Sequence, residues 1–158
     1  MENKETKEFD FAALIRGDFN IGEADIRSYS PLTLAYIGDA VFDLVIRTML
    51  VEKGNSLVNK LHKEASSLVK AGAQCVMVRL IEQELSEEEQ SVYKRGRNAK
   101  SFTMAKNATV KEYRMATGFE ALLGFLYLSG STERYMYIVK HSVDLYKKYL
   151  SENPESKK

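Results

Sequence analysis

The chain has 158 residues, of which 44% are hydrophobic and 28% charged, and its formal net charge is +1. This length and composition predict one globular domain with a real core, and no run of about 18 apolar residues predicts a membrane-spanning helix. The charged first ten residues lack the apolar stretch of a signal peptide, and the lone Cys75 excludes a disulfide framework, so we expect a cytoplasmic protein without a membrane partner.

The net charge hides an uneven distribution along the chain. Residues 1–30 carry seven acids and four bases, and residues 82–89 carry five acids and no base. Residues 91–114 carry seven bases against a single acid, Glu112. Such a local excess of positive charge on a nearly neutral protein predicts a polyanion-binding face. A solvated basic loop is the alternative.

The first predicted elements are an N-terminal extension and a long apolar helix. Residues 1–28 form the extension, whose polar first residues are expected to be frayed. Its apolar positions from Phe9 to Phe19 allow part of it to dock on the core. Ser30-Pro31 is typical of a helix start, with serine as N-cap and proline at the first helical position. This helix is expected to run to about Glu52, with Gly54 as its C-cap, and to be buried.

The middle of the chain predicts three further helices. The first spans about Leu57 to Val69, with Asn55 or Ser56 as cap, and a break at Gly72 separates it from the second, which runs through Ile81. The sequence Ser86-Glu87-Glu88-Glu89 is a capping box that opens the third helix, which should end near Gly96. Residues 97–108 show no helical period and are predicted to be a mobile basic loop.

The C-terminal part predicts two more helices. Thr109-Val110-Lys111-Glu112 forms a second capping box, and its helix should stop at Gly130. The last helix runs from Thr132 to about Leu150 and precedes a polar tail, 151–158, that is expected to be disordered. Since no strand pattern remains, we predict an all-α fold of about six or seven helices, with its main domain at residues 29–150.

Two lone acids on apolar helices, Asp39 and Glu120, are the main functional signal. A carboxylate among apolar neighbours is costly unless a cation or hydrogen-bond donors satisfy it, and two such acids can form a metal site. The alternative for Asp39 is an acid satisfied by backbone donors or a basic side chain. For Glu120 it is a salt bridge to Lys111 or Arg114, although spacings of nine and six do not suit pairing within a helix.

A third acid, Asp43, shares the Asp39 face of the first long helix. Its spacing of four from Arg47 favours an ion pair. A supporting role at the metal site is the alternative for Asp43.

Three motifs carry a resemblance to a known family. Tyr36-Ile37-Gly38-Asp39-Ala40 and Phe119-Glu120-Ala121-Leu122-Leu123-Gly124 resemble the two signature helices of the ribonuclease III catalytic domain. The run Lys94-Arg95-Gly96-Arg97-Asn98-Ala99-Lys100 narrows the resemblance to the short form of that family, Mini-ribonuclease III. The resemblance extends from about Pro31 to Leu150.

The resemblance implies an all-α endonuclease domain that works as a homodimer and cuts double-stranded RNA with magnesium-bound water, leaving 5′-phosphate ends. It also implies maturation of precursor 23S ribosomal RNA as the cellular role. Asp39 and Glu120 match the acids of the two signature motifs, and would be both the catalytic residues and the Mg²⁺ ligands. Ala35 and Thr117 stand where longer family members usually have two further acids.

The basic window would then grip the RNA backbone. The residues assigned to RNA binding are Lys94, Arg95, Arg97, Asn98, Lys100, Lys106, Lys111 and Arg114. Two other classes remain as alternatives: a catalytically inactive RNA-binding scaffold of the same fold, associated with ribosomes, and a helical protein-interaction domain that binds no RNA.

Overall fold

The computed structural model describes residues 8–100 and 108–157, which form an all-helical domain. Seven α-helices lie in these ranges: α1 (Phe11–Asp18), α2 (Pro31–Glu52), α3 (Val58–Val69), α4 (Ala71–Ile81), α5 (Glu87–Asn98), α6 (Val110–Leu128) and α7 (Thr132–Glu152). Short 3-10 turns occur at Ile26–Ser28, Glu82–Glu84 and Pro154–Lys157. Since the described residues contain no strand, the predicted fold class is confirmed. None of these helices is long and apolar enough to cross a membrane.

Helix α6 forms the centre of the domain. It packs against α2, α5 and α4, and α7 packs against α4 and α6. Every residue from Met115 to Leu126 is buried except Glu120, so α6 is a core helix with one acid in it. Phe42 of α2 meets Phe119 of α6 edge to face, with ring centroids 5.7 Å apart. Glu120 therefore lies directly after a residue fixed by aromatic packing against α2.

Glycines allow α6 to approach its neighbours at backbone distance. A Cβ built on Gly38 of α2 would lie 1.8 Å from the carbonyl oxygen of Glu120, and one on Gly124 would lie 1.9 Å from the carbonyl oxygen of Leu34. On the α5 side, a Cβ on Gly96 would lie 2.9 Å from the Cα of Gly118. No side chain fits at these positions, so the glycines of the signature motifs set the spacing between the helices.

Two predicted helix starts are confirmed in atomic detail. The Ser30 hydroxyl accepts a hydrogen bond from the backbone N–H of Thr33, with Pro31 in the first turn. The Ser86 box is complete, because the Ser86 hydroxyl accepts from Glu89 N and the Glu89 carboxylate accepts from Ser86 N. At α6, the Thr109 hydroxyl accepts from Glu112 N, which is one half of the predicted box.

The Glu89 carboxylate also joins α5 to α7. Arg134 donates to its two oxygens through Nε at 2.9 Å and Nη2 at 2.7 Å. Glu89 is only 5% exposed, and these bonds, followed by those from Ser86, hold its pKa below the usual range. The start of α5 is therefore fixed both by its cap and by a two-pronged ion pair.

Several predicted boundaries were wrong by a few residues. Leu57, not Asn55 or Ser56, occupies the N-cap of α3, and no side chain caps it. The break before α4 falls at Lys70, whose backbone is extended, and Gly72 lies inside the first turn of α4. Helix α5 continues past Gly96 to Asn98, because the buried Gly96 packs on α6 instead of ending the helix. Helix α7 continues to Glu152.

The outer surfaces of α1 and α2 also differ from expectation. Helix α2 was predicted to be buried, but one side faces solvent and leaves Tyr36 81% exposed and Leu44 55% exposed. In the extension, α1 buries Ala12 alone, while Phe9 and Phe19 remain 65% and 74% exposed. Phe9 and Phe19 therefore face solvent, while α1 contacts α6 and buries Ala12.

Candidate active site

The two predicted acids, Asp39 and Glu120, lie near each other at the α2–α6 contact. Asp39 follows Gly38, whose backbone touches that of Glu120. The negative charge of Asp39 acts on Glu120 strongly enough to raise the Glu120 pKa. The structure thus brings together two acids that are 81 positions apart in the chain.

The electrostatics of the pair favour a bound cation. Burial, followed by the charge of Asp39, raises the pKa of Glu120 from 4.5 to about 8, while a hydrogen bond with Gln74 opposes this rise. The Asp39 side chain reaches solvent, yet the packed groups around it and the charge of Asp43 raise its pKa too. A divalent cation would stabilise both ionised carboxylates at once.

The alternative partners of these acids are not found. Asp43 pairs with Arg47, with 2.9 Å between Oδ2 and Nε, as its spacing predicted. Within residues 8–100 and 108–157, no basic side chain forms an ion pair with Asp39 or Glu120. The alternative for Glu120, a salt bridge to Lys111 or Arg114, is therefore absent from the described ranges.

The donor set of the site fits magnesium better than a metal held by protein alone. Among the described residues, no group of three or more His, Cys, Asp or Glu side chains could hold a metal ion. Mg²⁺ often binds through one or two carboxylates together with waters and substrate phosphates. Asp39 and Glu120 meet that requirement, and Ala35 and Thr117 are both buried and non-acidic.

One polar residue of the site, Gln74 of α4, was missed by the sequence analysis. Its side chain is 1% exposed, its Nε2 donates to the carbonyl oxygen of Val69 at 2.8 Å, and its amide is close enough to Glu120 to lower the pKa of that acid. A signal existed, because Gln74 shares the buried face of α4 with Met77, Val78 and Ile81 at helical spacing. A lone amide on such a face requires a buried partner.

Only part of the predicted RNA-binding set converges on one surface. Lys94, Arg95 and Asn98 line an open groove of about 700 Å³ between α5 and the start of α2 at Pro31. Arg97 instead lies partly buried, with its guanidinium 5.6 Å from the centre of the Tyr93 ring and its Nε donating to Asn98 Oδ1. We call this surface the α5 groove.

The remaining basic residues lie away from the lining of the α5 groove or outside the described ranges. Lys100, Lys111 and Arg114 are exposed. Lys106 lies outside the described residues, as do residues 101–107 of the predicted basic loop. That loop begins later than predicted, since Arg97 and Asn98 belong to α5.

Comparisons with known proteins agree with this arrangement. Residues 32–131 match the Ribonuclease III domain model. The chain is 51% identical to the Mini-ribonuclease 3 of Clostridium tetani over 123 residues, which covers 77% of this chain and 82% of that relative. It is 53% identical to the Mini-ribonuclease 3 of a Thermoanaerobacter strain over 120 residues, which covers 76% of this chain and 84% of that relative.

A solved structure gives the same picture. The crystal structure of a Fusobacterium nucleatum protein superposes with a TM-score of 0.69 at 34% identity, and the match covers 77% of this chain and 98% of that one. The all-α fold and the match to the Ribonuclease III domain thus define an endoribonuclease that acts on double-stranded RNA. The chain belongs to the ribonuclease III family, within its Mini-ribonuclease 3 group.

Proposed function

We propose that this endoribonuclease cuts duplex RNA with Mg²⁺ held by Asp39 and Glu120, and leaves 5′-phosphate ends. The observation that carries the proposal is the meeting of these two acids, without a basic partner in the described ranges, where α2 and α6 touch. When bound, Mg²⁺ supplies a Lewis acid that activates water and neutralises charge on the scissile phosphate.

The protein residues divide the remaining tasks. Glu120 is held by the core helix α6, so its carboxylate keeps a fixed place, while the exposed Asp39 faces the side from which RNA arrives. Lys94 and Arg95 in the α5 groove contact backbone phosphates. Because side chains cannot read the deep major groove of A-form RNA, recognition rests on phosphates and 2′-hydroxyls and depends steeply on salt.

We further propose that two copies pair through the outer face of α2. Leu32, Tyr36 and Leu44 lie on this face at multiples of four residues and are exposed, next to Asp39. A two-fold contact there would set two acid pairs on one surface, one for each RNA strand. We expect the wild type to sediment as a dimer and Tyr36→Asp as a folded monomer; a wild-type monomer at micromolar concentration would contradict the pairing.

Precursor 23S ribosomal RNA in the cytoplasm is the proposed cellular substrate, supported by the resemblance to the short form of the family. The test compares a transcript of the paired 23S precursor ends with a random duplex of equal length. Faster cutting at one discrete position in the precursor supports this assignment, and equal, scattered cutting of both opposes it.

The cleavage proposal is tested with labelled duplex RNA, with and without Mg²⁺. Wild type should cut only with Mg²⁺, whereas Asp39→Asn and Glu120→Gln should lose at least 100-fold in rate, on the order expected when a metal ligand is removed. Asp144→Asn, which removes an exposed acid paired with Lys140 on α7, is the matched control and should cut normally. Identical duplex binding by wild type and Asp39→Asn without any cutting would favour the scaffold alternative.

A further inference from the structure

The buried amide of Gln74 has one satisfied end and one unsatisfied end. Its Nε2 donates to the Val69 carbonyl, and the amide is close enough to Glu120 to lower the pKa of that acid, but its Oε1 has no hydrogen-bond partner in the structure. With the side chain 1% exposed, bulk water does not reach this oxygen. An unpaired buried acceptor costs roughly 1–3 kcal/mol, so its retention calls for an explanation.

The orientation of the amide is fixed. If the amide were flipped, Oε1 would face the Val69 carbonyl oxygen, and two acceptors would meet at 2.8 Å. Nε2 therefore stays on the side of Val69, and its second hydrogen is available to the Glu120 carboxylate. Oε1 belongs to the same planar amide group, so fixing Nε2 on Val69 fixes the position of Oε1 as well.

We propose that Gln74 is a positioning residue of the metal site. Its amide N–H orients the Glu120 carboxylate, and the unpaired Oε1 is the energetic cost of holding the amide in that orientation. This inference rests on the proposed function, since it takes Glu120 to be a Mg²⁺ ligand. Hydrogen bonds to a ligating carboxylate fix its direction, and their removal typically weakens metal binding by about 10- to 100-fold.

A purely architectural role is the competing explanation. Val69 is the last residue of α3, so the bond to its carbonyl also ties α3 to α4 across the break at Lys70. Replacing Gln74 would then lower stability without changing the affinity for metal. The two roles are separated by measuring both quantities on the same variants.

The chain offers a matched control for that architectural role. Gln90 is a partly buried glutamine whose Nε2 donates to the carbonyl oxygens of Glu82 and Leu85, at the junction before α5. Both Gln74→Met and Gln90→Met keep the length of the side chain and remove its polar atoms. Each should lower the melting temperature, since each removes an amide that ties one element to the next.

The test is calorimetric titration of Mn²⁺, as a stand-in for Mg²⁺, into the full-length protein without RNA. We expect Gln74→Met to bind Mn²⁺ about 10-fold more weakly than wild type and Gln90→Met to bind it equally well. Equal affinity in all three proteins would overturn the positioning role while leaving the metal site intact. No Mn²⁺ binding by wild type would overturn the metal site proposed above and the role of Gln74 together.

A second measurement uses unmodified protein, in case Gln74→Met does not fold. In nitrogen-15 spectra of the side-chain amides, added Mg²⁺ should shift the two side-chain NH₂ signals of Gln74. The corresponding two signals of Gln90 should stay in place. The shift should vanish in Glu120→Gln. A Gln74 pair that stays fixed while Mg²⁺ shifts the backbone signals of Asp39 and Glu120 would contradict the proposal.

Discussion

A Cβ atom on Gly38 would lie 1.8 Å from the backbone carbonyl oxygen of Glu120, far inside van der Waals contact. The residue before one acid therefore touches the backbone of the other. The separation between the backbones that carry the two carboxylates is therefore set by main-chain contact between α2 and α6.

Gly38→Ala should consequently damage both the fold and the site. The added methyl group forces α2 away from α6, so we expect a loss of about 3 kcal/mol in unfolding free energy and a large loss of cleavage. Denaturant unfolding and duplex cutting measure the two effects. Gly17→Ala in α1 is the control, because a Cβ there meets nothing within 4 Å beyond its own stretch of helix. It should leave cutting unchanged and raise stability by at most about 1 kcal/mol, the helix preference of alanine over glycine.

The raised pKa of Glu120 predicts how stability without metal depends on pH. The folded pKa of about 8 exceeds the usual value of 4.5, so the folded state binds more protons than the unfolded state between these values. The contribution of Glu120 to stability is fully present below pH 4.5 and is lost as the pH rises through 8.

Glu120→Gln should remove that dependence. In the absence of divalent metal, we expect the variant to melt several degrees above wild type at pH 8 and at nearly the same temperature as wild type at pH 4.5. The stability gained by the substitution should be larger at pH 8 than at pH 4.5 by on the order of 2 kcal/mol. Thermal unfolding at both pH values checks this, with the exposed Glu52→Gln as the control. An equal gain at both pH values would show that ionisation of Glu120 is not the cause.

The ion pair between Glu89 and Arg134 should contribute more to stability than the surface pairs. Arg134→Met leaves an almost fully buried carboxylate without its main partner, so we expect a loss of about 2–3 kcal/mol. Lys140→Met, which breaks an exposed pair with Asp144, should cost less than about 1 kcal/mol. Urea unfolding compares them, and equal losses would refute the special role of the α5–α7 pair.

The α5 groove predicts a salt-dependent effect on RNA affinity. The double variant Lys94→Ala/Arg95→Ala should bind duplex RNA more weakly and reduce the slope of log affinity against log salt by about 2, because two phosphate contacts are lost. Filter binding at several salt concentrations, without divalent metal, gives the slope. Lys60→Ala/Lys63→Ala on α3 removes the same charge elsewhere and should leave the slope unchanged.

The helices and the two candidate acids could be predicted from the sequence, but the contacts between helices could not. Ser30, Ser86 and Gly130 are local signals and predicted helix boundaries well, since caps depend on neighbours in the chain. Motif resemblance paired Asp39 with Glu120. The amide of Gln74 was not predicted because its proposed role depends on Glu120, 46 positions away in the chain. The exposed side of α2 was not predicted because composition alone cannot separate a core face from an outer apolar face.

The anchoring of α5 by Ser86 and Arg134 has a consequence for affinity. Lys94 and Arg95 extend from a helix whose backbone is tied to α7 within two turns of them. When RNA arrives, the helix itself has no conformational entropy left to lose, and only the two flexible side chains must become ordered. If Lys94 and Arg95 bind phosphates as proposed, little of the interaction energy is spent on ordering the binding surface.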